Sequence, residues 1–326
     1  MQLPRDLDRL AVRLPEKETG TMSVLATAFR KTLPRPIVST LKRARDSFRV
    51  RLIFGRLAPL VPPEALMHDG PPNYQSFQQI GEAALRLYVD LAGLKPDEAM
   101  LDVGCGIGRS ALYLTEYFSD RARYEGIDIV KSGIDWCTHT ITRKRPNFHF
   151  QLIDVYNQHY NPEGSLRPSE YRFPFPDDSF DFVTLGSVFT HMLTKDMENY
   201  LRQVTRVLKP GGRCFITWFL LNEESKNLMR SGRSTLNFAY QIDAVSWSIN
   251  QQQPEKAIAF DERYVLDVYA RCGLAIRPPV HYGSWCGRIP TYHVSEKAER
   301  SKDQSYQDLI VAVPGGPSGR STPFVG

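Results

Sequence analysis

Residues 100–109 read Met-Leu-Asp-Val-Gly-Cys-Gly-Ile-Gly-Arg, and no other stretch of the chain is as informative. An apolar run ends at Asp102, three glycines follow at alternate positions from Gly104, and a helical segment begins at Arg109. Glycine lets the backbone bend sharply and approach a ligand closely, because it has no Cβ. The order strand, glycine turn, helix is how an open α/β sheet brings backbone N–H groups up to a nucleoside ligand.

The residues around the glycines indicate which ligand the turn binds. A dinucleotide site has a third glycine at the position where this chain has the bulky Arg109. Asp102, two residues before the first glycine, suits an ammonium group and repels a pyrophosphate. We therefore expect a positively charged nucleoside ligand, such as S-adenosylmethionine, at Gly104, Cys105 and Gly106. Cys105 is expected to be a small residue tolerated in the turn rather than a nucleophile.

Two later strands also end in acids. Asp128 closes the second apolar run, about twenty residues after the turn, where an acid can accept hydrogen bonds from both ribose hydroxyls. Asp154 closes the third, and we expect it to accept from the adenine amine while Ile129 and Val155 pack on the ring. One such aspartate is equally well explained as a helix cap. Three acids at successive strand ends favour a cofactor site.

These motifs resemble those of the class I S-adenosylmethionine-dependent methyltransferases. Leu101–Arg109 resembles the first motif of that family, Phe180–Leu185 its fourth strand, and Leu208–Arg213 the entry to its fifth. The resemblance implies an α/β fold of the Rossmann-like type: a doubly wound, mostly parallel seven-stranded sheet with helices on both faces and an antiparallel last strand. It implies S-adenosylmethionine as the cofactor and says almost nothing about the substrate.

A candidate catalytic base follows the fourth strand. Methyl transfer to a hydroxyl requires an acceptor held in line and a group that takes up its proton. His191 has suitable basicity near neutral pH, and the resemblance puts it, with Gly186 and Ser187, beside the methionine arm of the cofactor. His281 and His293 are weaker candidates for the same role. A histidine that caps or packs the next helix is the alternative explanation of His191.

The sequence predicts no metal site. Family members that use a divalent metal need clustered carboxylates near the end of the fourth strand. This chain has Ser187 and Thr190 at the matching positions, and the alternative is that Glu223 and Glu224 supply metal ligands from the insertion.

A C-terminal run, Tyr282–Arg288, resembles a signature of a bacterial subgroup associated with sugar and small-molecule modification. Trp285 and Arg288 are therefore candidates to line the acceptor pocket. A structural tryptophan with a surface arginine is the alternative.

Composition limits the class of protein. The chain has 326 residues, 42% of them hydrophobic, and a net charge of +5. Residues 1–60 hold thirteen basic and five acidic residues, an excess of eight positive charges, so the remainder is net negative by three. That distribution argues against a nucleic-acid groove across the body. Five cysteines, an odd number without a C-x-x-C pair, favour a reducing compartment, and we expect a cytoplasmic protein.

The chain is expected to have two parts. Residues 1–60 form a basic, partly helical arm, and within it residues 23–60 have the apolar spacing of an amphipathic helix that contacts a membrane surface or a partner. Residues 61–326 form the catalytic domain. Within that domain, residues 221–260 are predicted to be an irregular insertion that covers the substrate.

The leading functional hypothesis is O-methylation of a hydroxyl on a glycan, a glycolipid or a small metabolite. Methylation of a nitrogen or carbon atom of a small molecule stays open. A third hypothesis is a non-catalytic protein of the same fold that docks through its arm.

Overall fold

The computed structural model describes residues 35–68, 70–293 and 305–315. The chain divides into two compact units, one ending at Leu52 and the other beginning at Ile53. The part of the predicted amphipathic segment between residues 23 and 34 lies outside the described residues. Within the described ranges, no helix combines the length and the apolar character that crossing a bilayer requires.

The described residues contain eleven strands. In chain order they are β1 (Ala99–Val103), β2 (Arg123–Asp128), β3 (Phe148–Leu152), β4 (Phe180–Leu185), β5 (Leu208–Trp218), β6 (Leu220–Leu221), β7 (Tyr240–Gln241), β8 (Ser246–Ser248), β9 (Ile258–Asp261), β10 (Leu274–His281) and β11 (Asp308–Pro314). The helices are α1 (Arg35–Phe54), α2 (Tyr74–Asp90), α3 (Arg109–Tyr117), α4 (Lys131–Cys137), α5 (Thr194–Val207), α6 (Glu223–Arg230) and α7 (Glu262–Arg271).

Seven of these strands form the main sheet, in the order β10-β11-β5-β4-β1-β2-β3. The first five strands of the chain pair in parallel, and β11 is antiparallel to both of its neighbours. Asp102 pairs with Gly126 of β2 on one side and with Thr184 of β4 on the other. The chain reverses its winding direction between β1 and β4, which is where open α/β sheets bind ligands at the carboxyl ends of the strands. The predicted seven-stranded, mostly parallel sheet with an antiparallel last strand is confirmed.

Helix ends follow from local sequence. Helix α2 begins after Asn73, whose side chain accepts a hydrogen bond from the Ser76 amide at 2.8 Å, as a helix N-cap does. Helix α4 passes into a π-helical turn at Thr138–Thr142. There the Thr140 hydroxyl donates back to the Trp136 carbonyl, a contact that disturbs regular α-helical geometry.

Residues 221–260 are more ordered than the sequence predicted. They contain α6 and two short strands, and these strands join β6 and β9 in a second sheet of order β6-β9-β8-β7. A separate apolar cluster packs beside it, with Phe219, Phe238 and Trp285 among its buried members. The expectation of an irregular insertion is therefore wrong. Its few, widely spaced apolar residues did not reveal strands of only two or three residues.

Candidate functional site

A cavity of about 780 Å³ lies at the carboxyl ends of the central parallel strands. That volume is typical of a site for a cofactor or small ligand. Its lining includes eleven of the predicted site residues: Asp102, Gly104, Cys105, Gly106, Arg109, Asp128, Ile129, Val155, Gly186, Ser187 and His191. The sequence therefore identified one connected site, with a single exception, Asp154.

The glycine turn has the backbone that its sequence predicts. Gly104 and Gly106 have φ angles of +78° and +56°, in the left-handed region that favours glycine. A Cβ atom on Gly104 would lie 2.5 Å from Cγ2 of Val188. Glycine at this position thus lets β1 and the segment after β4 approach closely at the edge of the cavity.

Asp102 is a fixed carboxylate at the start of the turn. It is buried, and it accepts a hydrogen bond of 2.7 Å from the Tyr124 hydroxyl. Burial and the nearby Asp102 charge raise the pKa of Tyr124 well above its usual value, so the phenol stays protonated and remains a donor.

Asp128 binds the turn to the second strand. Its Oδ2 atom accepts from the Gly106 amide and its Oδ1 atom from the Val130 amide, both at 2.7 Å. Each carboxylate oxygen has a second lone pair. Asp128 can therefore hold the turn in place and still accept a hydrogen bond from a ligand hydroxyl.

Asp154 does not line the cavity, unlike the other predicted acids. Its carboxylate accepts from the hydroxyl and the amide of Ser165. The backbone causes this, because Val155 pairs with Leu166 and brings Ser165 opposite Asp154. The prediction that Asp154 accepts from an adenine amine has no support in this geometry. Ile129 and Val155, predicted to pack on the ring, do line the cavity.

His191 ends a short 3-10 turn after β4, and its ring is oriented by the second sheet region. The Nδ1 atom lies 2.9 Å from the backbone carbonyl oxygen of Glu255. A carbonyl can only accept, so Nδ1 carries the hydrogen in the neutral ring and Nε2 keeps its lone pair. Burial lowers the pKa of His191 below its usual value, so the ring is neutral near pH 7. The edge of the ring contacts Tyr160, with the ring centroids 5.4 Å apart.

Two buried acids in the cavity wall were not predicted. Glu255 lies in the 3-10 turn between β8 and β9, and its carboxylate accepts from the backbone amide of Gln158. Asp196 lies in the first turn of α5. Burial raises the pKa of both carboxyl groups. No motif marks either position, since both depend on how distant segments pack.

Ser187, just after β4, is held by hydrogen bonds to Thr217 and Gln307. Ser187 has a φ of +60°, an unusual conformation for a residue with a side chain. Its amide donates to Thr217 Oγ1 at 2.7 Å, and its hydroxyl donates to Oε1 of Gln307 at 2.9 Å. Gln307 also lines the cavity, and its backbone carbonyl accepts from the Tyr292 hydroxyl at 2.6 Å.

The weaker candidates fall outside the cavity wall. His281 and His293 do not line it. Trp285 is fully buried and donates from Nε1 to Asp308 at 2.7 Å, and Arg288 packs over the ring of Tyr282 with its Cζ atom 4.7 Å from the centroid. Trp285 and Arg288 therefore pack within the C-terminal loop, and neither of them lines this cavity.

No group of three or more histidine, cysteine or acidic side chains is arranged to hold a metal ion in the parts of the chain that the structure describes.

Comparison with known proteins finds a family match over the central part of the chain. Residues 101–216 match a family described as "Methyltransferase domain". Curated relatives include phosphoethanolamine N-methyltransferase 3 of Arabidopsis thaliana, which is 28% identical over 40% of this chain and 23% of its own length. O-methyltransferase cnsE of Penicillium expansum is 29% identical over 45% of this chain and 48% of its own length.

A third relative, the ubiquinone/menaquinone biosynthesis C-methyltransferase UbiE of Vibrio parahaemolyticus, is 30% identical over 41% of this chain and 46% of its own length. The chain thus spans less than half the length of each of these relatives. The names of these three relatives cover transfer to nitrogen, oxygen and carbon. Together with the sheet order, the matches show that residues 101–216 are similar to methyltransferase domains.

Proposed function

We propose that the protein transfers a methyl group from S-adenosylmethionine to a hydroxyl group of a small molecule, a glycan or a glycolipid. The observation that carries the choice of a hydroxyl is the orientation of His191. Its Nδ1 atom is committed to the Glu255 carbonyl, which leaves Nε2 as an acceptor on a residue of the cavity wall. A hydroxyl acceptor is the class that requires such a proton acceptor.

The cofactor site is assigned to the residues around the glycine turn. Gly104, Cys105 and Gly106 line the cavity, and their backbone faces the ligand. A Cβ atom at Gly104 would clash with Val188. Asp102 faces the methionine ammonium, and Asp128 accepts from the ribose hydroxyls. These two buried carboxylates suit a ligand with one cationic end and a diol.

The remaining contacts follow from the lining of the cavity. Ile129 and Val155 pack against the adenine ring, and Gly186 and Ser187 lie along the methionine arm. Arg109 is a buried cation at the beginning of α3, suited to the methionine carboxylate.

S-adenosylmethionine, when bound, supplies a methyl group on a sulfonium, which is the electrophile of the reaction. His191 accepts the hydroxyl proton at Nε2 as the oxygen–carbon bond forms and the carbon–sulfur bond breaks. The ring is already neutral at pH 7, so it needs no prior deprotonation. The Glu255 carbonyl stabilises the imidazolium that results, because it accepts from Nδ1–H in both protonation states.

Binding and turnover test this function separately. Isothermal titration of the purified protein with S-adenosylhomocysteine should give saturable binding, and its absence would overturn the proposal. A screen of hydroxylated small molecules and sugars with methyl-labelled cofactor then identifies the acceptor. Product analysis that finds the label only on nitrogen or carbon would favour the other two classes. Binding without turnover on any acceptor would favour a non-catalytic docking protein.

The basic helix supports a second proposal, contact with an anionic membrane surface through residues 23–60. Phe48 and Leu52, one helical turn apart on α1, are 65% and 67% exposed. Arg45 and Arg49 are exposed nearby. Apolar side chains flanked by arginines suit a surface of anionic lipids.

Vesicle sedimentation tests this contact. The protein should bind phosphatidylcholine vesicles that contain phosphatidylserine and not vesicles of phosphatidylcholine alone. The variant Phe48→Ser/Leu52→Ser should lose binding and keep its catalytic activity. Equal behaviour of the variant and the parent protein would exclude this surface.

A further inference from the structure

Two buried acids line the cavity without a compensating basic group. Glu255 is 4% exposed and Asp196 is 9% exposed. In the described ranges no lysine, arginine or histidine side chain forms an ion pair with either, and no positive charge contributes to the pKa of either group. The Glu255 carboxylate accepts a hydrogen bond from the backbone amide of Gln158.

Ionised carboxylates in this position are unfavourable in free energy when no cation lies beside them. An ionised carboxylate that leaves water without a cationic partner loses several kcal/mol of solvation. Burial accordingly raises the pKa of Glu255, and the charge of Asp196 raises it further. A cation bound beside Glu255 would remove this penalty, since it would favour the ionised form of both acids.

The surroundings of Glu255 suit a cation in two further ways. The backbone carbonyl of Glu255 accepts a hydrogen bond from His191. The Glu255 carboxylate therefore belongs to the same turn as the carbonyl that orients the candidate base. The ring of Tyr160 lies nearly perpendicular to that of His191, with the centroids 5.4 Å apart, and Tyr160 also lines the cavity. Tyrosine rings attract ammonium groups, and aromatic rings beside a carboxylate are a common arrangement for binding them.

Apart from His191 itself, the basic side chains of the cavity wall lie at the glycine turn. Arg109 begins the helix that follows the turn, and Cε1 of His68 lies 3.1 Å from the position that a Cβ atom on Gly133 would occupy. The ionisable side chains near His191 are therefore acidic, while the lining near the turn includes the Arg109 cation.

We propose that the methyl acceptor carries an ammonium group, bound by Glu255 and the ring of Tyr160, next to the hydroxyl that His191 deprotonates. This inference rests on the proposed function, because it names the substrate class of the same cavity.

A matched pair of small probes tests the inference without knowledge of the natural acceptor. Choline and its uncharged analogue 3,3-dimethyl-1-butanol have nearly the same shape. Each is titrated into protein saturated with S-adenosylhomocysteine, and binding is followed by ligand-observed NMR or calorimetry. We expect choline to bind at least tenfold more tightly than the alcohol. Equal affinity of the two probes would overturn the inference.

Variants assign the preference to the named side chains. Glu255→Gln keeps the shape and the backbone carbonyl that orients His191, and it should reduce the preference for choline to about twofold or less. Glu223→Gln, an exposed acid on α6, is the control and should keep the tenfold preference. Tyr160→Leu should weaken choline severalfold, whereas Tyr160→Phe should not. A preference that survives Glu255→Gln would contradict the proposal.

The sulfonium of the cofactor is the competing explanation of the acidic wall. If Glu255→Gln weakens binding of S-adenosylmethionine but not of uncharged-sulfur S-adenosylhomocysteine, then Glu255 faces the cofactor and the inference fails. If the protein binds neither, the proposed function fails instead. The choline titration of the protein alone then still decides whether Glu255 binds an ammonium group.

Discussion

The Nδ1 atom of His191 lies 2.9 Å from the backbone carbonyl oxygen of Glu255, so a residue 64 positions away fixes which ring nitrogen can act as a base. His191 follows the fourth strand, within residues 101–216, which match the methyltransferase domain. Glu255 belongs to the insertion after the fifth strand, which carries its own small sheet. The insertion therefore contributes to the orientation of the candidate base as well as to the cavity wall.

Substitution of His191 should remove the proton acceptor and spare the cofactor. We expect His191→Asn to lower kcat by roughly 10²- to 10⁴-fold, the usual contribution of a general base. Affinity for S-adenosylhomocysteine should change by less than about twofold, since the proposed cofactor contacts lie elsewhere in the cavity. His149→Gln, on an exposed face of β3, is the control and should leave kcat unchanged. A variant at His191 with full activity would favour a nitrogen or carbon acceptor.

The pH dependence of the same reaction follows from the His191 environment. Burial lowers the pKa of His191 below 6.5, so the neutral, proton-accepting form predominates at pH 7. We expect kcat/KM to rise with pH through a midpoint below 6.5 and to level off near pH 7, as measured by initial rates across a buffer series. The rising limb should disappear in His191→Asn. A midpoint well above 7 would contradict a buried neutral histidine as the base.

Asp128 and Asp154 form a matched pair for testing the cofactor site, because only the first faces the cavity. Asp128→Asn puts an amide N–H group opposite the Gly106 or Val130 amide, which are donors already. We expect it to weaken S-adenosylhomocysteine at least tenfold, or about 1.4 kcal/mol of binding free energy. Asp154→Asn should change the Kd by less than about twofold, because its partner is Ser165. A larger effect at Asp154 than at Asp128 would mean that the site opens differently in solution.

The close approach at Gly104 predicts a steric defect with a partial rescue. Gly104→Ala places a Cβ 2.5 Å from Val188 Cγ2 and also forces alanine into a φ of +78°. The left-handed backbone alone costs about 1–2 kcal/mol. We expect the variant to unfold at a lower temperature, and the double variant Gly104→Ala/Val188→Ala to recover part of that loss. Recovery is incomplete because the backbone strain remains. An unchanged Tm in Gly104→Ala would show that the turn can relax.

The parts of the site that the sequence predicted depend on local chemistry. Glycines 104 and 106 have positive φ angles, Asp102 is the penultimate residue of β1, and Asp128 is the last residue of β2. Parallel pairing brings the carboxyl ends of those strands together, whatever the loops do. The sequence could therefore predict which residues meet at this end of the cavity, and their role in binding the cofactor stays a prediction.

The parts that the sequence did not predict depend on contacts between distant segments. Asp154 turns outward because Val155 pairs with Leu166, eleven residues further on. Glu255 reaches the cavity because the turn between β8 and β9 is held by Ser248, whose hydroxyl donates to the Pro254 carbonyl at 2.8 Å. Neither contact has a signature in residue spacing, and both decide how the loops around the acceptor are shaped.

Asp308 is the remaining buried acid, and its contribution to the stability of the fold can be measured. Its carboxylate accepts from the amides of Leu220 and Gly283, each at 2.8 Å, and from Nε1 of Trp285 at 2.7 Å. It thus joins β6, the C-terminal loop and β11, the strand that follows Gln307. Burial outweighs these hydrogen bonds and raises the pKa of Asp308 to about 6, from 3.8.

A raised carboxyl pKa has a definite effect on stability. The folded protein holds the Asp308 proton more tightly than the unfolded chain, so its contribution to stability is fully present below about pH 4 and is lost as the pH rises through about 6. The difference between the two pKa values corresponds to roughly 3 kcal/mol. Asp308→Asn cannot titrate, and it also places an amide donor among three donors, so it should be less stable than the parent at acidic pH.

We therefore expect the stability gap between the parent protein and Asp308→Asn to narrow by roughly 3 kcal/mol between pH 4 and pH 7.5. Urea unfolding at a series of pH values measures this gap, and groups that titrate in both proteins cancel from it. The exposed variant Glu223→Gln should follow the parent at every pH. A gap that stays constant would mean that Asp308 ionises as easily in the folded protein as in the unfolded chain, and that its three donors compensate its burial fully.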